Sequence, residues 1–158
     1  MDEQDLRIVD ILLSDGRTPA AQIAEQIGLS RPAVVDRIEK LERHGVIRGT
    51  TVVVAPEMMG QTLTAFVAAR GATLSTAGWK RFRELMKRPE MLEVHTVAGD
   101  DCFFIKVRTE SIHSLNALVQ QLTHAPMSFA TRTTIVLETH LEKVGGITLG
   151  QREKEAAR

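Results

Sequence analysis

The sequence predicts an α+β chain with an N-terminal winged helix-turn-helix domain followed by a ferredoxin-like βαββαβ domain. Three observations carry that expectation. Residues 19–43 hold two helical patterns joined by a tight turn at Gly28. A β-branched run containing Gly45 and Gly49 follows at residues 44–54, where a winged domain places its wing or exit strand. The second half then alternates strand and helix patterns in the order β-α-β-β-α-β, the split-βαβ arrangement.

The first helix is expected over residues 5–13, with Leu6, Val9 and Leu13 on one face and Ile8 and Leu12 alongside. Asp2 or Asp5 suits its positive N-terminal end. Asp15, Gly16 and Arg17 end it with turn chemistry. Thr18 is placed to cap the second helix, with Pro19 at its first position. Ile23, Ala24 and Ile27 sit inward on that helix. Gly28 can take the left-handed conformation that ends a helix, and Leu29 plugs the corner. Ser30 then caps the third helix and Pro32 fits its first turn, where a missing N–H costs nothing. Val34, Ile38 and Leu41 form the buried stripe of the third helix. Its exposed side carries Ser30, Arg31, Pro32, Ala33, Asp36, Arg37 and Lys40. These are the residues that a helix inserted into a DNA groove presents to base edges and phosphates. Arg matches guanine O6 and N7 as a fork, and Lys40 suits a phosphate. The competing role for Arg37 is an ion pair with Glu25 or Asp36 that braces the hairpin.

Residues 55–60 (APEMMG) break the pattern and set the expected domain boundary, giving 1–60 as the first domain with its linker strand. The second domain is expected over 61–145. Residues 62–70 read as a strand. Residues 71–76 form a loop ending in a cap. Residues 77–88 read as a helix with Trp79, Phe82, Leu85 and Met86 inward, closed by Pro89. Strands at 92–97 and 102–109 flank a turn. A helix capped by Ser111 carries Ile112, Leu115, Leu118, Val119 and Leu122 on its apolar face, and Pro126 breaks it. Residues 129–141 read as the last strand. Two helices on one face of the sheet leave the other bare, with Phe66, Ala68, Phe103 or Phe104, and Ile135 or Val136, depending on phase. Such a face pairs with a copy of itself. Residues 146–158 form a charged tail that frays.

Composition bounds the rest. The 158 residues are 43% hydrophobic, which is ordinary for a globular chain. No apolar run is long enough to span a bilayer, so no membrane partner is expected. The acidic, polar start is not a signal peptide. Cys102 is the one cysteine, which excludes an internal disulfide and fits a cytoplasmic protein. The formal net charge is zero, which excludes a chain that coats nucleic acid by bulk charge. Over residues 31–48 five bases (Arg31, Arg37, Lys40, Arg43, Arg48) oppose three acids (Asp36, Glu39, Glu42). So small an excess binds DNA weakly, and copies acting together are expected to supply the affinity.

In order and spacing the chain resembles the Lrp/AsnC (feast/famine) transcriptional regulators along nearly its whole length. The matching pieces are Asp5-Leu6-Arg7-Ile8-Val9 with Asp15-Gly16-Arg17; Ile23-Ala24 with Gly28-Leu29-Ser30; Val34, Arg37-Ile38 and Leu41-Glu42; Gly45-Val46-Ile47-Arg48-Gly49; Pro56 and Gly60; His95-Thr96-Val97-Ala98-Gly99; and Thr131-Arg132-Thr133 before Val136-Leu137. The resemblance implies a second domain that binds an effector and oligomerises. Homodimers form through the sheets and assemble into tetramers or octamers, and an amino acid or related small molecule binds between dimers. It implies an effector loop at Val97, Ala98, Gly99, Asp100, Asp101 and Cys102, with Thr131 and Thr133 as the paired threonines of the last strand. Many members carry Tyr-Asp where this chain has Asp101-Cys102, and the glycine-tyrosine after the wing becomes Gly49-Thr50. An amino group held by the turn's carboxylate must therefore use Asp100 or Asp101, unless a different ligand binds.

The residues themselves allow the same chemistry. Backbone N–H groups around a glycine turn hold a carboxylate, and an adjacent acid holds an ammonium group; an ordinary hairpin uses the same residues as solvated turn formers. His95, Asp100, Asp101 and Cys102 lack paired metal-ligand spacing, so neither metal nor cofactor is expected. A phosphate-cradling glycine loop and a GxSxG elbow are missing, and no plausibly spaced Ser-His-Asp set occurs, so no enzyme is expected. The alternative is a small-molecule-binding ferredoxin-like module, or an enzyme, with a structural helical hairpin. Specific retardation of duplex DNA separates the two.

Overall fold

The computed structural model describes residues 1–71 and 73–143. The expected tail at 146–158 lies outside the described residues. The chain divides into two compact units, Met1–Val53 and Val54–His140.

The first unit contains helices α1 (Glu3–Ser14), α2 (Ala20–Ile27) and α3 (Arg31–Arg43). Asp2 and Asp5 both serve the start of α1, as a reciprocal capping box. The Asp5 N–H donates to Asp2 Oδ1 at 2.9 Å and the Asp2 N–H to Asp5 Oδ2 at 3.0 Å. The cap expected of Thr18 does not form. Pro19 occupies the N-cap of α2, and the Thr18 hydroxyl donates back to Asp15 O at 2.8 Å. The preceding turn had already claimed that hydroxyl. Gly28 ends α2 at φ +72°, a conformation that a β-carbon disfavours. Ile8, Ile23, Ala24, Ile27, Val34 and Leu41 are buried together, with Leu29, Ile38 and Ile47 packed against them. The expected wing finds no ladder among the described residues. Val52, Val53 and Val54 are 76%, 77% and 53% exposed, and no strand forms between α3 and the 3-10 turn at Pro56–Met59. A β-branched run becomes a strand only when a neighbour receives its backbone groups, and no described residue does so there.

The second unit is a four-stranded sheet of β1 (Leu63–Arg70), β2 (Met91–Thr96), β3 (Phe103–Thr109) and β4 (Ala130–Ile135), with helices α4 (Thr76–Met86) and α5 (Ile112–Thr123). The spatial order is β2-β3-β1-β4 and all three pairings are antiparallel. Ala65, Val67 and Ala69 of β1 and Phe103, Ile105 and Val107 of β3 pack under Phe82 and Leu85 of α4 and Leu115, Leu118 and Leu122 of α5. Phe82, Phe103 and Phe129 meet edge to face at 4.9 to 5.7 Å between ring centres. Trp79 caps this cluster and stays 37% exposed, so it is only partly inward. The last strand is shorter than residues 129–141. Val136 still donates its N–H to Thr64 O, but β1 begins at Leu63 and offers no partner beyond. Register also settles the phase of the open face. Phe66 opposes Lys106 and Thr134, and Ala68 opposes Phe104 and Arg132. Phe104 and Val136 therefore point away from the helices, whereas Phe103 and Ile135 lie on the helix side.

Candidate nucleic-acid interface and effector turn

On α3, the Ser30 hydroxyl accepts the Ala33 N–H at 3.4 Å, which aims the first helical turn outward. The residues expected to face DNA, Ser30 apart, line two hollows that share Asp36. Ala33, Asp36, Arg37 and Lys40 line a cleft against the N-terminus of α1. Arg31, Pro32 and Asp36 line a second hollow together with Val35 and Glu39. Val35 and Glu39, four and eight residues after Arg31, were not among the residues expected from the sequence, although the helical spacing offers them.

Arg31 is exposed and makes no ion pair among the described residues. Lys40 pairs with Asp36 at 2.7 Å, and both ends are more than half exposed. That contact holds the Asp36 carboxyl below its ordinary pKa, yet an exposed pair of this kind is weak and exchangeable. Arg37 is different. One guanidinium nitrogen, Nη1, reaches Asp2 Oδ2 and Asp5 Oδ1, each at 2.7 Å. Its partners are thus the α1 capping box, not Glu25 or Asp36. The paired carboxylates raise the Arg37 pKa, Asp2 contributing most. In return Asp2 and Asp5 are lowered, chiefly by each other's backbone N–H and then by Arg37.

A pH dependence follows. Because both aspartates have lowered folded-state pKa values, their stabilisation is fully present above the ordinary carboxylate value of about 4. It is lost as pH falls through the lowered folded values. Acid titration of the helical unit by circular dichroism is expected to show this loss below about pH 4, and Arg37→Gln is expected to move its onset to higher pH.

At the other site, the β2–β3 turn occupies residues 97–102. The Val97 N–H donates to Cys102 O at 3.1 Å, and Gly99 sits at φ +133°, where a side chain is strained. Ala98, Gly99 and Asp100 are exposed. Asp101 is not: its side chain is 15% exposed and lies 3.3 Å from Arg132 Nη2 and 3.8 Å from Arg70 Nε. Cys102 is half-buried, with its N–H on Ala69 O at 2.9 Å and its thiol 3.4 Å from Gly71 O. Ala69 is the register partner of both Phe103 and Thr131, so the turn and Thr131 share one end of the sheet. Thr133 lies two residues further along β4, opposite Val67 and on the same helix-facing side as Thr131. Among the described residues, no cluster of three or more His, Cys, Asp or Glu is placed to hold a metal ion.

Comparison with known proteins accounts for both halves. Residues 1–42 match the AsnC-type helix-turn-helix domain, and residues 64–145 match the Lrp/AsnC ligand binding domain. The HTH-type transcriptional regulator FL11 of Pyrococcus abyssi is 35% identical over 145 residues, covering 90% of this chain and 93% of that protein. The crystal structure of the leucine response regulatory protein LrpA of Mycobacterium tuberculosis aligns with a TM-score of 0.79 at 30% identity, over 93% of this chain and 99% of that one. A transcriptional regulator of Neisseria meningitidis in complex with L-Met shares the fold, with a TM-score of 0.82 at 18% identity over 95% of this chain and 98% of that one.

Proposed function

Since the chain belongs to the Lrp/AsnC family of transcriptional regulators, we propose that it reads DNA with the N-terminal half of α3 and answers to an amino acid held at the β2–β3 turn. The observation that carries this reading is the pairing, in one chain, of an exposed, uncommitted Arg31 at a capped helix start with an exposed glycine turn at the end of a half-bare sheet. Arg31 forks onto a base edge, while Ser30, Pro32 and Ala33 bring the helix start close to the groove wall. Lys40 exchanges Asp36 for a phosphate. Asp36 is then released at the helix flank, and Arg37 stays with Asp2 and Asp5 as the brace that sets the angle between α1 and α3.

The open face of the sheet joins two copies, with Phe66 and Phe104 at its centre, and dimers assemble further into tetramers or octamers. The amide groups of Val97, Ala98 and Gly99 hold the effector carboxylate. Asp100 receives the ammonium group, because Asp101 is already engaged by Arg132 and Arg70. Cys102, Thr131 and Thr133 line the same end of the sheet. The L-Met bound by the Neisseria protein supports an amino acid as the class of ligand. The turn's exposure on a single chain supports a site completed by a second dimer. An effector that prefers one assembly shifts the spacing of the α3 helices, and hence which half-sites are engaged together. The working place is the cytoplasm with the DNA, and no catalytic role is assigned.

Calorimetry and size-exclusion chromatography with the common amino acids test the effector reading. One or more is expected to release heat and shift the assembly size; no heat and no shift with any of them overturns it. For the DNA side, Arg31→Ala is expected to cost about 1–3 kcal/mol and to relax preference at one base position. Affinities across a panel of duplexes check this, since a uniform loss would make Arg31 a phosphate contact.

A further inference from the structure

Val35 is the residue on α3 that the fold does not account for. It is 37% exposed and belongs neither to the buried cluster of the helical unit nor to the side chains packed against it. Valine is a weaker helix former than alanine, so an exposed valine in mid-helix adds nothing to α3 itself. It stands one turn beyond Arg31 on the outward stripe that runs on to Glu39, beside Pro32 and Asp36. Arg31, Asp36 and Glu39 around it are charged. In the major groove of B-DNA the one apolar feature is the thymine methyl group, and the side chains suited to it are small and apolar.

Resting on the reading that α3 enters the major groove, we propose that Val35 is a specificity-determining residue that reads a thymine methyl beside the base met by Arg31. The geometry sets the spacing. Four residues of helix advance about 6 Å, and base pairs stack about 3.4 Å apart. The thymine therefore lies within about two base pairs of the Arg31 contact.

The test uses the full chain and a duplex enriched by it from a random pool. Each thymine in the enriched site is replaced singly by uracil, which removes the methyl and nothing else. Binding by the unsubstituted chain is expected to weaken about fourfold at one such position, the worth of one buried methyl group. Val35→Ser is expected to bind the thymine and uracil duplexes equally while keeping its preference at the Arg31 base, because a hydroxyl replaces the apolar contact. Serine is close to valine in helix propensity, so the variant keeps its fold, which circular dichroism verifies. If no thymine shows methyl dependence, or if the dependence survives in Val35→Ser, the assignment to Val35 is wrong while sequence-specific binding stands. If the unsubstituted chain enriches no sequence at all, the docking of α3 fails and the proposal fails with it.

Discussion

Phe66→Asp is expected to leave the chain monomeric and to weaken DNA binding about 100-fold or more, the range in which a second linked site normally contributes. Phe66 is 37% exposed at the centre of the open face and stands outside the buried core of the sheet unit. Phe104 is 39% exposed and diagonal to it across the β1–β3 pairing. In a two-fold symmetric contact every substitution acts twice. Each phenyl ring withdrawn from water contributes about 1.5–3 kcal/mol. An aspartate there forfeits that twice and adds two carboxylates that must be desolvated without a partner. Sedimentation velocity reads the assembly, and a gel shift reads DNA affinity. Because Phe66 is not a core residue, the variant's far-UV circular dichroism should match that of the unsubstituted chain, while its thermal midpoint falls by what association had contributed. A variant that remains dimeric would move the interface elsewhere. A monomeric variant with unchanged affinity would remove the need for two copies.

Phe82→Ala is expected to destabilise the sheet unit by about 3–5 kcal/mol, the usual cost of emptying a fully buried phenyl site. Phe82 is completely buried on the inner face of α4, 4.9 Å from Phe103 and 5.7 Å from Phe129 between ring centres. These edge-to-face contacts disappear together with the buried area. Domains of this size are stable by about 5–15 kcal/mol, so a large part of the margin goes. Urea unfolding should show a lower midpoint for the β-rich unit. The helical unit has its own core around Ile8, Ile23 and Val34 and should be unaffected. Trp79→Ala is the internal comparison. Trp79 touches Phe82 and Phe103 but remains partly in water, so its removal should cost clearly less.

Much of this was legible in one dimension because it depends on near neighbours. Ser30 and Gly28 bracket a helical turn through groups within three or four positions of themselves. Ser111 caps α5 in the same way. The alternation of Ala65, Val67 and Ala69 against Phe66 and Ala68 assigns strand faces from period alone. Thr18 misled for the opposite reason. Two local partners competed for one hydroxyl, and residue type does not reveal which wins. The end of the last strand is not legible locally, because it depends on where β1 begins, some seventy positions earlier in the chain.

The candidate sites were less legible than the folds that carry them. The seven residues proposed for the DNA surface are all on or beside α3, but only three-dimensional packing reveals that Arg37 is engaged by Asp2 and Asp5, 35 and 32 positions away. In the same way, Asp100 and Asp101 are equivalent as letters. Asp101 is distinguished by Arg132 and Arg70, which strands β4 and β1 bring to it.

By itself the sequence determined the type and order of the helices and strands, the turn between α2 and α3, and the existence of a bare sheet face, since caps, turns and side-chain period are short-range properties. The tertiary structure alone decided which charged groups are already spent on one another, which apolar residue of α3 faces outward unused, and that the β-branched stretch after α3 has no ladder among the described residues. Those outcomes depend on groups distant in sequence meeting across packed elements, where an ion pair or a backbone ladder exists only if its partner arrives.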